Sequence, residues 1–347
     1  MTTLRDLGER EIIRKIIAPF CTAEIGDDCA EIARKDEVII VTTDPVPSPA
    51  AEVIGGDDDP YWKGWLLTTI NASDLAAAAA KPLSFFVAAE APSDLLVEKF
   101  QRFFKGVADA CDQEGLIYAG GNLREGQQLS AVGTAIGTRP VGSSVNRRGI
   151  TDGDLLVIVG NGGAFWLDAL RYLAGDKSID KRSSHMFSPR SESRTMRILA
   201  DEGIVIAAMD NSDGLLPTIQ QLAEINQLSA ILELDKLYPP AGYDAVARLI
   251  TISHERLWLG WGDWNIVIAV KPDQIIKLEE LRRRHSLSIT VCGHFDAAIS
   301  TVQLKYKGVT QKAPRLDSER FAKDSWFTAG IDAYIDRLRN IPLPGNL

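Results

Sequence analysis

Residues 204–215 read IVIAAMDNSDGL, and this stretch decides the fold class. Its first seven residues form an apolar run typical of a buried strand, and the run ends in an aspartate. Ser212-Asp213-Gly214 then predicts the start of a helix, because short polar side chains satisfy the free backbone N–H groups of a first turn. A strand that leads through acidic residues into a helix indicates a mixed α+β fold with carboxylates at the strand end.

Aspartates also stand at the ends of other apolar or helix-prone segments. The full set is Asp27 and Asp28 in IGDDCA (25–30), Asp44 in TTD (42–44), Asp74 in NASD (71–74), and Asp210 and Asp213 in DNSDGL (210–215). Serine and threonine hydroxyls accompany them, and carboxylate and hydroxyl oxygens are the ligands that Mg²⁺ or Mn²⁺ takes. Taken singly, each aspartate is equally consistent with a helix end or a turn. Together they predict an oxygen-only metal site.

Helix-like and strand-like segments alternate along the chain. Strands are predicted at 38–42, at LIYA (116–119) ending at Gly120-Gly121, and at 129–137, 155–160, 204–210, 230–234, 265–270 and 288–293. Helices are predicted at 8–18, 71–80 with Ser73 as a cap, 94–114, 164–174, up to Glu202, from Ser212, and at 273–285. Turn residues at 147–154 place a boundary near residue 150. We therefore expect two packed domains, 1–150 and 151–347.

The composition is that of an average folded protein and excludes several function classes. The chain has 347 residues, with 38 Lys+Arg against 47 Asp+Glu and a net charge of −9, which disfavours nucleic-acid binding. No apolar run approaches the roughly 20 residues of a membrane span, and charges occur throughout the first 20 residues, unlike a signal peptide. We therefore expect a cytoplasmic protein. Cysteine and histidine spacings predict neither disulfides nor a zinc site.

The order of the acidic motifs resembles that of a known superfamily. Gly-Asp-Asp, Thr-Asp, Asn-x-Ser-Asp and Ser-Asp-Gly-Leu occur in this order in the PurM-like proteins, which include aminoimidazole ribonucleotide synthetase, selenophosphate synthetase and the hydrogenase maturation dehydratase. Within this superfamily, almost the whole chain resembles thiamine-monophosphate kinase. IGDDCA and TTD resemble its metal loops, NASDLAA (71–77) its Asn-x-Ser-Asp helix, and Arg147 with Gly149 and Gly153-Asp154 the segment before its second domain.

This resemblance implies a PurM-like two-domain architecture. The sheet of the N-terminal α/β domain would pair with a second copy into a β-barrel-like homodimer, and a C-terminal α/β domain would close over it. ATP would lie between the domains, in contact with Arg147, Ser212, Gly120, Gly121 and Asn122. Mg²⁺ ions would be held by Asp27, Asp28, Thr43, Asp44, Asp74, Asp210 and Asp213, with Asp44 and Asp213 as the catalytic pair. The implied reaction is phosphoryl transfer, which clustered carboxylates with Mg²⁺ can support without a nucleophilic side chain.

Three departures from the kinase pattern concern mainly the acceptor side. Gly-Gly-Asp is replaced by Gly120-Gly121-Asn122, whose amide is a weaker metal ligand. The histidine-containing loop after Thr-Asp is replaced by PVPSP (45–49) and GGDDD (55–59), without histidine between 45 and 70. The Gly-Gly-Glu-Asp segment reads GWGDWN (260–265), so glycine 262 stands in place of a substrate-binding glutamate.

These departures predict an acceptor other than thiamine monophosphate. Trp261, Asp263 and Trp264 are the candidate acceptor-binding residues. With Trp258, the two tryptophans could form an aromatic wall, or they could simply pack beneath a closing loop. Two alternatives to an altered kinase stay open. One is a synthetase or dehydratase that phosphorylates a carbonyl or amide oxygen, and the other is a nucleotide-binding protein without turnover.

Overall fold

The computed structural model describes residues 3–22, 25–299, 301–314, 316 and 329–346. The strands are β1 Ala30–Ala33, β2 Glu37–Pro45, β3 Lys81–Ala91, β4 Ile117–Glu125, β5 Ser130–Pro140, β6 Leu155–Val159, β7 Val205–Asp210, β8 Ser229–Glu233, β9 Ile266–Val270, β10 Ile289–Asp296, β11 Gln303–Tyr306 and β12 Val309–Lys312. The helices are α1 Glu9–Ile12, α2 Ala50–Val53, α3 Pro60–Ala77, α4 Val97–Glu114, α5 Ala164–Leu173, α6 Ser193–Asp201, α7 Leu215–Ile225, α8 Tyr243–Ile250, α9 His254–Leu259, α10 Ile275–His285 and α11 Ile331–Asn340. Among the described helices, none combines the length and apolar character that a membrane crossing requires.

The first sheet has the strand order β1-β2-β5-β3-β4, antiparallel except for the parallel pair β3 and β4. One face is covered by α3 and α4, where Ile40, Phe85 and Ala135 are buried. The opposite face, which we call the open face, carries apolar side chains that remain partly exposed. They are Ile32, Ile39, Val41, Phe86, Val132 and Ile136. A sheet with apolar side chains on both faces needs a second layer.

Helix α3 is longer and more deeply buried than the sequence predicts. It begins at Pro60 behind an Asp59 cap whose carboxylate accepts from the backbone N–H of Tyr61 at 3.0 Å. Ser73, predicted to cap a helix, lies instead within α3 and is buried. The helix packs against the first sheet, α4, α6 and β7, so it has no polar face and shows no amphipathic period.

Strand β4 does not stop at Gly120-Gly121, contrary to the sequence-based prediction. It continues to Glu125, and the two glycines form a bulge opposite β3, where Val87 pairs with Gly121. A Cβ atom at position 121 would lie only 1.8 Å from the carbonyl oxygen of Val87. The close approach of the two backbones therefore requires glycine at this position.

The second sheet has the strand order β12-β11-β8-β10-β6-β9-β7, with β7 at one edge. Helix α3 contacts β7, so the end of this edge strand lies beside the last turns of α3. Apolar side chains from both parts of the chain join one core, in which Trp62 and Trp65 of α3 lie with Trp166, Phe187 and Met209. This packing brings the acidic motifs of α3 and β7 together.

Candidate metal and nucleotide site

Three of the predicted metal ligands form one compact cluster. Asp28 lies in the loop before β1, Asp74 lies in the last turn of α3, and Asp210 is the last residue of β7. One carboxylate oxygen of each lies within 4.8 Å of the others. These residues are separated by up to 182 positions in the chain, so only the packing of α3 against β7 brings them together.

The carboxylates of the cluster are largely shielded from solvent, and their negative charges repel one another. Burial raises the pKa of Asp74 well above its ordinary value, and the charges of Asp210, Asp44 and Asp28 raise it further. The hydroxyl of Thr42 opposes this effect by donating to Asp74 Oδ2 at 2.6 Å. Burial and the Asp28 charge likewise raise the pKa of Asp210. Buried carboxylates at this separation favour a cation between them, and their oxygens suit Mg²⁺.

Arg147 is the cation that neutralises part of this cluster. Its guanidinium donates to Asp28 at 2.5 Å, and its backbone N–H donates to Asp27 Oδ1 at 3.0 Å. Burial alone would lower the pKa of Arg147, but the charge and hydrogen bond of Asp28, together with the charges of Asp210 and Asp27, outweigh it, and the pKa is raised. Arg147 therefore stays charged beside the cluster. Asp27 is exposed and lies outside the group of three, since its carboxylate holds the Arg147 backbone.

A cavity of about 400 Å³ opens beside the cluster. Asp44, Asp74, Arg147, Asp210, Ser212 and Asp213 all line it, together with Glu9, Arg10, Pro45, Ser48, Pro49, Val53, Phe165, Met186, Phe187, Met209, Gln221, Trp261, Gly262 and Trp264 among others. The hydroxyl of Ser212 lies 3.4 Å from Asp210 Oδ1. The cavity lining thus includes carboxylates, an arginine and a hydroxyl.

Two groups of predicted ligands do not reach this cavity. Strand alternation turns Thr43 toward the open face, where its hydroxyl donates to the Gly133 carbonyl at 2.9 Å and lies 3.2 Å from the Thr134 hydroxyl. Its neighbour Thr42 takes the place beside Asp74. Gly120, Gly121 and Asn122 lie on the edge strand β4 and are not among the cavity-lining residues, so their predicted contact with ATP stays a prediction.

Several known proteins resemble this chain in sequence and in fold. The model of the AIR synthase related protein, N-terminal domain, matches residues 26–139. Thiamine-monophosphate kinase of Methanospirillum hungatei is 26% identical over 274 residues, covering 78% of this chain and 89% of that protein, and the Synechococcus elongatus enzyme is 27% identical over 290 residues, covering 80% and 86%. The structure of AaThiL complexed with AMPPCP and TMP superposes with a TM-score of 0.77 at 20% identity, covering 92% of this chain and 99% of that one.

The chain is similar to thiamine-monophosphate kinases over most of its length. The resemblance that the acidic motifs indicate is therefore confirmed, and so is the PurM-like α+β fold that it implies. The match spans most of the chain and nearly all of the relatives' length.

The three tryptophans considered for the acceptor side lie in different surroundings. Trp261 and Trp264 line the cavity, but Trp258 does not; it is buried and its indole N–H donates to the Tyr238 carbonyl at 2.7 Å. The three tryptophans therefore do not form one wall. Asp263 is buried and is not among the cavity-lining residues, so its predicted contact with the acceptor stays a prediction.

Asp263 instead caps α5 from within the protein. Its carboxylate accepts from the backbone N–H groups of Gly163 at 2.6 Å and Phe165 at 2.8 Å. Burial raises its pKa to about 7. Asp263 thus satisfies two of the backbone N–H groups that open α5 and fixes the position of Phe165.

Several cavity residues escape the sequence analysis. Met186 and Phe187 lie in a polar loop between α5 and α6, and Glu9 and Arg10 lie in α1, where no motif marks them. Thr42 could have been found, because residues two apart on a strand share a face and Thr42 is two residues before Asp44.

Proposed function

We propose that this protein is a Mg²⁺- and ATP-dependent phosphotransferase whose acceptor is not thiamine monophosphate. The observation that carries the proposal is the cluster of Asp28, Asp74 and Asp210, whose oxygens lie within 4.8 Å of one another beside the cavity. The relatives are thiamine-monophosphate kinases, which supports ATP-dependent kinase chemistry. Clustered carboxylates with one arginine supply what such chemistry needs, since phosphoryl transfer depends on positioning and charge neutralisation.

The cluster fits Mg²⁺ by its chemistry and its charge. All the donors are oxygens, and a bound cation would offset the burial and the carboxylate repulsion that raise the pKa of Asp74 and of Asp210. Asp28, Asp74 and Asp210 would hold the ion, with Asp44 and Asp213 beside it. When bound, the ion offsets the negative charge of the triphosphate. Arg147 and Ser212 line the cavity and would contact the phosphates.

The acceptor end supports a substrate other than thiamine monophosphate. Gly262 has a backbone φ of +106°, and a Cβ atom there would lie 2.7 Å from the ring of Phe165. A glutamate at this position would collide with that ring. The acceptor groups implied by the kinase pattern are thus replaced by an aromatic side chain, and a buried polar substrate group without a partner costs about 1–3 kcal/mol.

Product analysis tests the proposed reaction. The protein is incubated with saturating ATP, Mg²⁺ and thiamine monophosphate, and thiamine diphosphate is measured by chromatography. We expect formation far below about 1 s⁻¹, the ordinary range of enzymes. Faster formation would show that the acceptor is the ordinary one. With other acceptors, a stable phosphorylated product supports a kinase, whereas free phosphate with a new C–N bond supports a synthetase, and ATP binding without turnover of any acceptor contradicts both.

The proposal includes a homodimer that covers the open face of the first sheet. Ile32 pairs with Ile39, and Val41 pairs with Ile136, so these apolar side chains lie side by side on that face. Val132 is 40% exposed and Ile32 is 51% exposed. A second copy packing its own open face here would bury this surface and satisfy the need for a second layer.

A further inference from the structure

Arg147 lies in the segment that connects the first sheet to the second. This segment follows β5 and precedes β6, and residues 146–150 within it belong to no helix or strand. The guanidinium of Arg147 pairs with Asp28, and the side chain is 16% exposed. The regular hydrogen bonds of a helix or a sheet therefore do not fix the Arg147 backbone. Other groups set the point from which its side chain reaches the cavity.

One side chain from the second half of the chain fastens this segment. Asn226 follows directly after α7, and its Nδ2 group donates to the Arg147 carbonyl at 2.8 Å. Its Oδ1 atom accepts from the backbone N–H of Ile150 at 3.1 Å. Nδ2 also donates to the Leu222 carbonyl at 2.8 Å, which ties the amide to the last turn of α7. The donor and acceptor groups of the amide are thus all engaged, and its orientation is fixed.

The two peptide groups next to the Arg147 Cα atom are held by different side chains. The backbone N–H of Arg147 donates to Asp27 Oδ1 at 3.0 Å, and Asp27 is exposed, so water competes for this bond. The bond from Asn226 to the Arg147 carbonyl is partly shielded from solvent. Fixing both peptide planes fixes φ and ψ of Arg147, and these two angles set the direction in which its side chain leaves the backbone.

The direction of the Arg147 side chain matters for what its guanidinium can bind. Arg147 lines the cavity with Asp210 and pairs with Asp28 of the cluster. A guanidinium is a planar fork, so its bonds to a carboxylate or a phosphate require a defined orientation. A fixed backbone also lowers the conformational entropy that the side chain loses when a phosphate binds.

We propose that Asn226 is a positioning residue for Arg147. The inference rests on the proposed ATP-dependent function, in which Arg147 contacts the phosphates. Asn226 is not among the cavity-lining residues, and its contacts with the connecting segment are the Arg147 carbonyl and the Ile150 N–H. It would therefore act on a bound phosphate only through Arg147, which is 79 positions away in the chain.

Calorimetric titration of ATP into the full chain in Mg²⁺ tests this proposal. We expect Asn226→Ala to weaken ATP binding about 10-fold, which is the lower end of the effect of groups that orient metal ligands. Asn340→Ala is the matched control, because Asn340 ends α11 and its Nδ2 group donates to the Asp336 carbonyl four residues back at 2.8 Å. The control should bind ATP within about twofold of the parent. Equal ATP affinity of Asn226→Ala and the parent overturns the proposal.

A double-mutant cycle separates positioning of Arg147 from general support of the fold. Arg147→Met removes the guanidinium but keeps the backbone carbonyl that Asn226 holds. In the Arg147→Met background, Asn226→Ala should therefore weaken ATP binding by less than about twofold. A loss of about 10-fold in both backgrounds overturns the proposal, because it would show that Asn226 does not act through the guanidinium.

The same cycle is also measured on the metal-free protein, and this measurement decides if Arg147→Met binds ATP too weakly for calorimetry. Asn226→Ala should disturb the pair of Arg147 with Asp28, so it should lower Tm in EDTA less in the Arg147→Met background than in the parent. Equal decreases in Tm overturn the proposal. Absence of ATP binding by the parent, or unchanged ATP affinity in Arg147→Met, would instead refute the proposed contact of Arg147 with the phosphates, and this inference with it.

Discussion

Replacing Asp210 by asparagine should stabilise the metal-free protein while abolishing nucleotide binding. The carboxylate is 4% exposed and shares the cluster with Asp28 and Asp74, within 4.8 Å. Two unit charges at 4.8 Å repel by about 3 kcal/mol at an effective dielectric constant of about 20. Arg147 and partial protonation offset part of this, so we expect Asp210→Asn to raise the free energy of unfolding in EDTA by about 1–3 kcal/mol, or Tm by about 2–6 °C.

The effect should depend on pH with a defined sign. The pKa of Asp210 is raised above the ordinary 3.8 by burial and by Asp28, so the folded protein binds this proton more tightly than the unfolded chain does. The folded state therefore loses stability as the pH rises from about 4 through the raised pKa. Asp210→Asn has no carboxylate to titrate at this position and so does not lose this stability. The difference in the free energy of unfolding between Asp210→Asn and the parent should therefore be smallest near pH 4, increase with pH and then level off.

Thermal unfolding in EDTA between pH 5 and pH 8 measures the effect, with Asp36→Asn as the matched control in the exposed turn between β1 and β2. The control should stay within about 0.5 kcal/mol of the parent. A free energy of unfolding that is more than about 1 kcal/mol lower in Asp210→Asn than in the parent would contradict this prediction, because it would show that the carboxylate stabilises the folded state. A stability difference between Asp210→Asn and the parent that decreases with rising pH would also contradict the prediction.

Three further predictions concern other parts of the structure. Asp44→Asn should abolish turnover without lowering the Tm of the metal-free protein, and a drop of more than about 5 °C would indicate a structural role. Gly262→Ala should lower the free energy of unfolding more than Gly142→Ala does, because both glycines have a positive φ but only a Cβ atom at 262 meets the Phe165 ring. Chemical denaturation measures the difference, and equal losses of about 1 kcal/mol in the two variants would contradict this prediction. Light scattering should give twice the chain mass of 37.9 kDa, and a monomeric parent protein would refute the dimer. Val132→Lys on the open face should halve the measured mass, whereas Leu249→Lys, which changes an exposed side chain elsewhere, should leave it unchanged.

The acidic motifs could be predicted from the sequence because ligand chemistry is local. Asp28, Asp74 and Asp210 each occur beside small or hydroxyl-bearing residues at the end of an element, and the structure brings these three together. The motif Thr42-Thr43-Asp44 does not by itself show that Thr43 lies on the open face, because this follows only from the alternation of side chains along β2. Helix α4 was predicted closely because one amphipathic face and a left-handed Gly115 mark its length.

Other elements could not be predicted because their signals depend on tertiary packing. Helix α3 is buried on nearly every side, so the start at Asp59-Pro60 is not followed by an amphipathic pattern. Strands β11 and β12 are short and largely polar, as suits the edge of a sheet. The position of Phe187 at the cavity could not be predicted for the same reason, because contacts with Trp62 and Trp65 hold its loop against α3.

Measuring ATP binding with and without a divalent cation is the most direct test of the proposed metal site. ATP is titrated into the protein by calorimetry in Mg²⁺ and again in EDTA. Without the ion, the triphosphate would face Asp74, Asp210 and their acidic neighbours as like charges. We expect ATP to bind at least about 100-fold more tightly in Mg²⁺ than in EDTA, and equal affinity in the two buffers would contradict a metal site at the Asp28, Asp74 and Asp210 cluster.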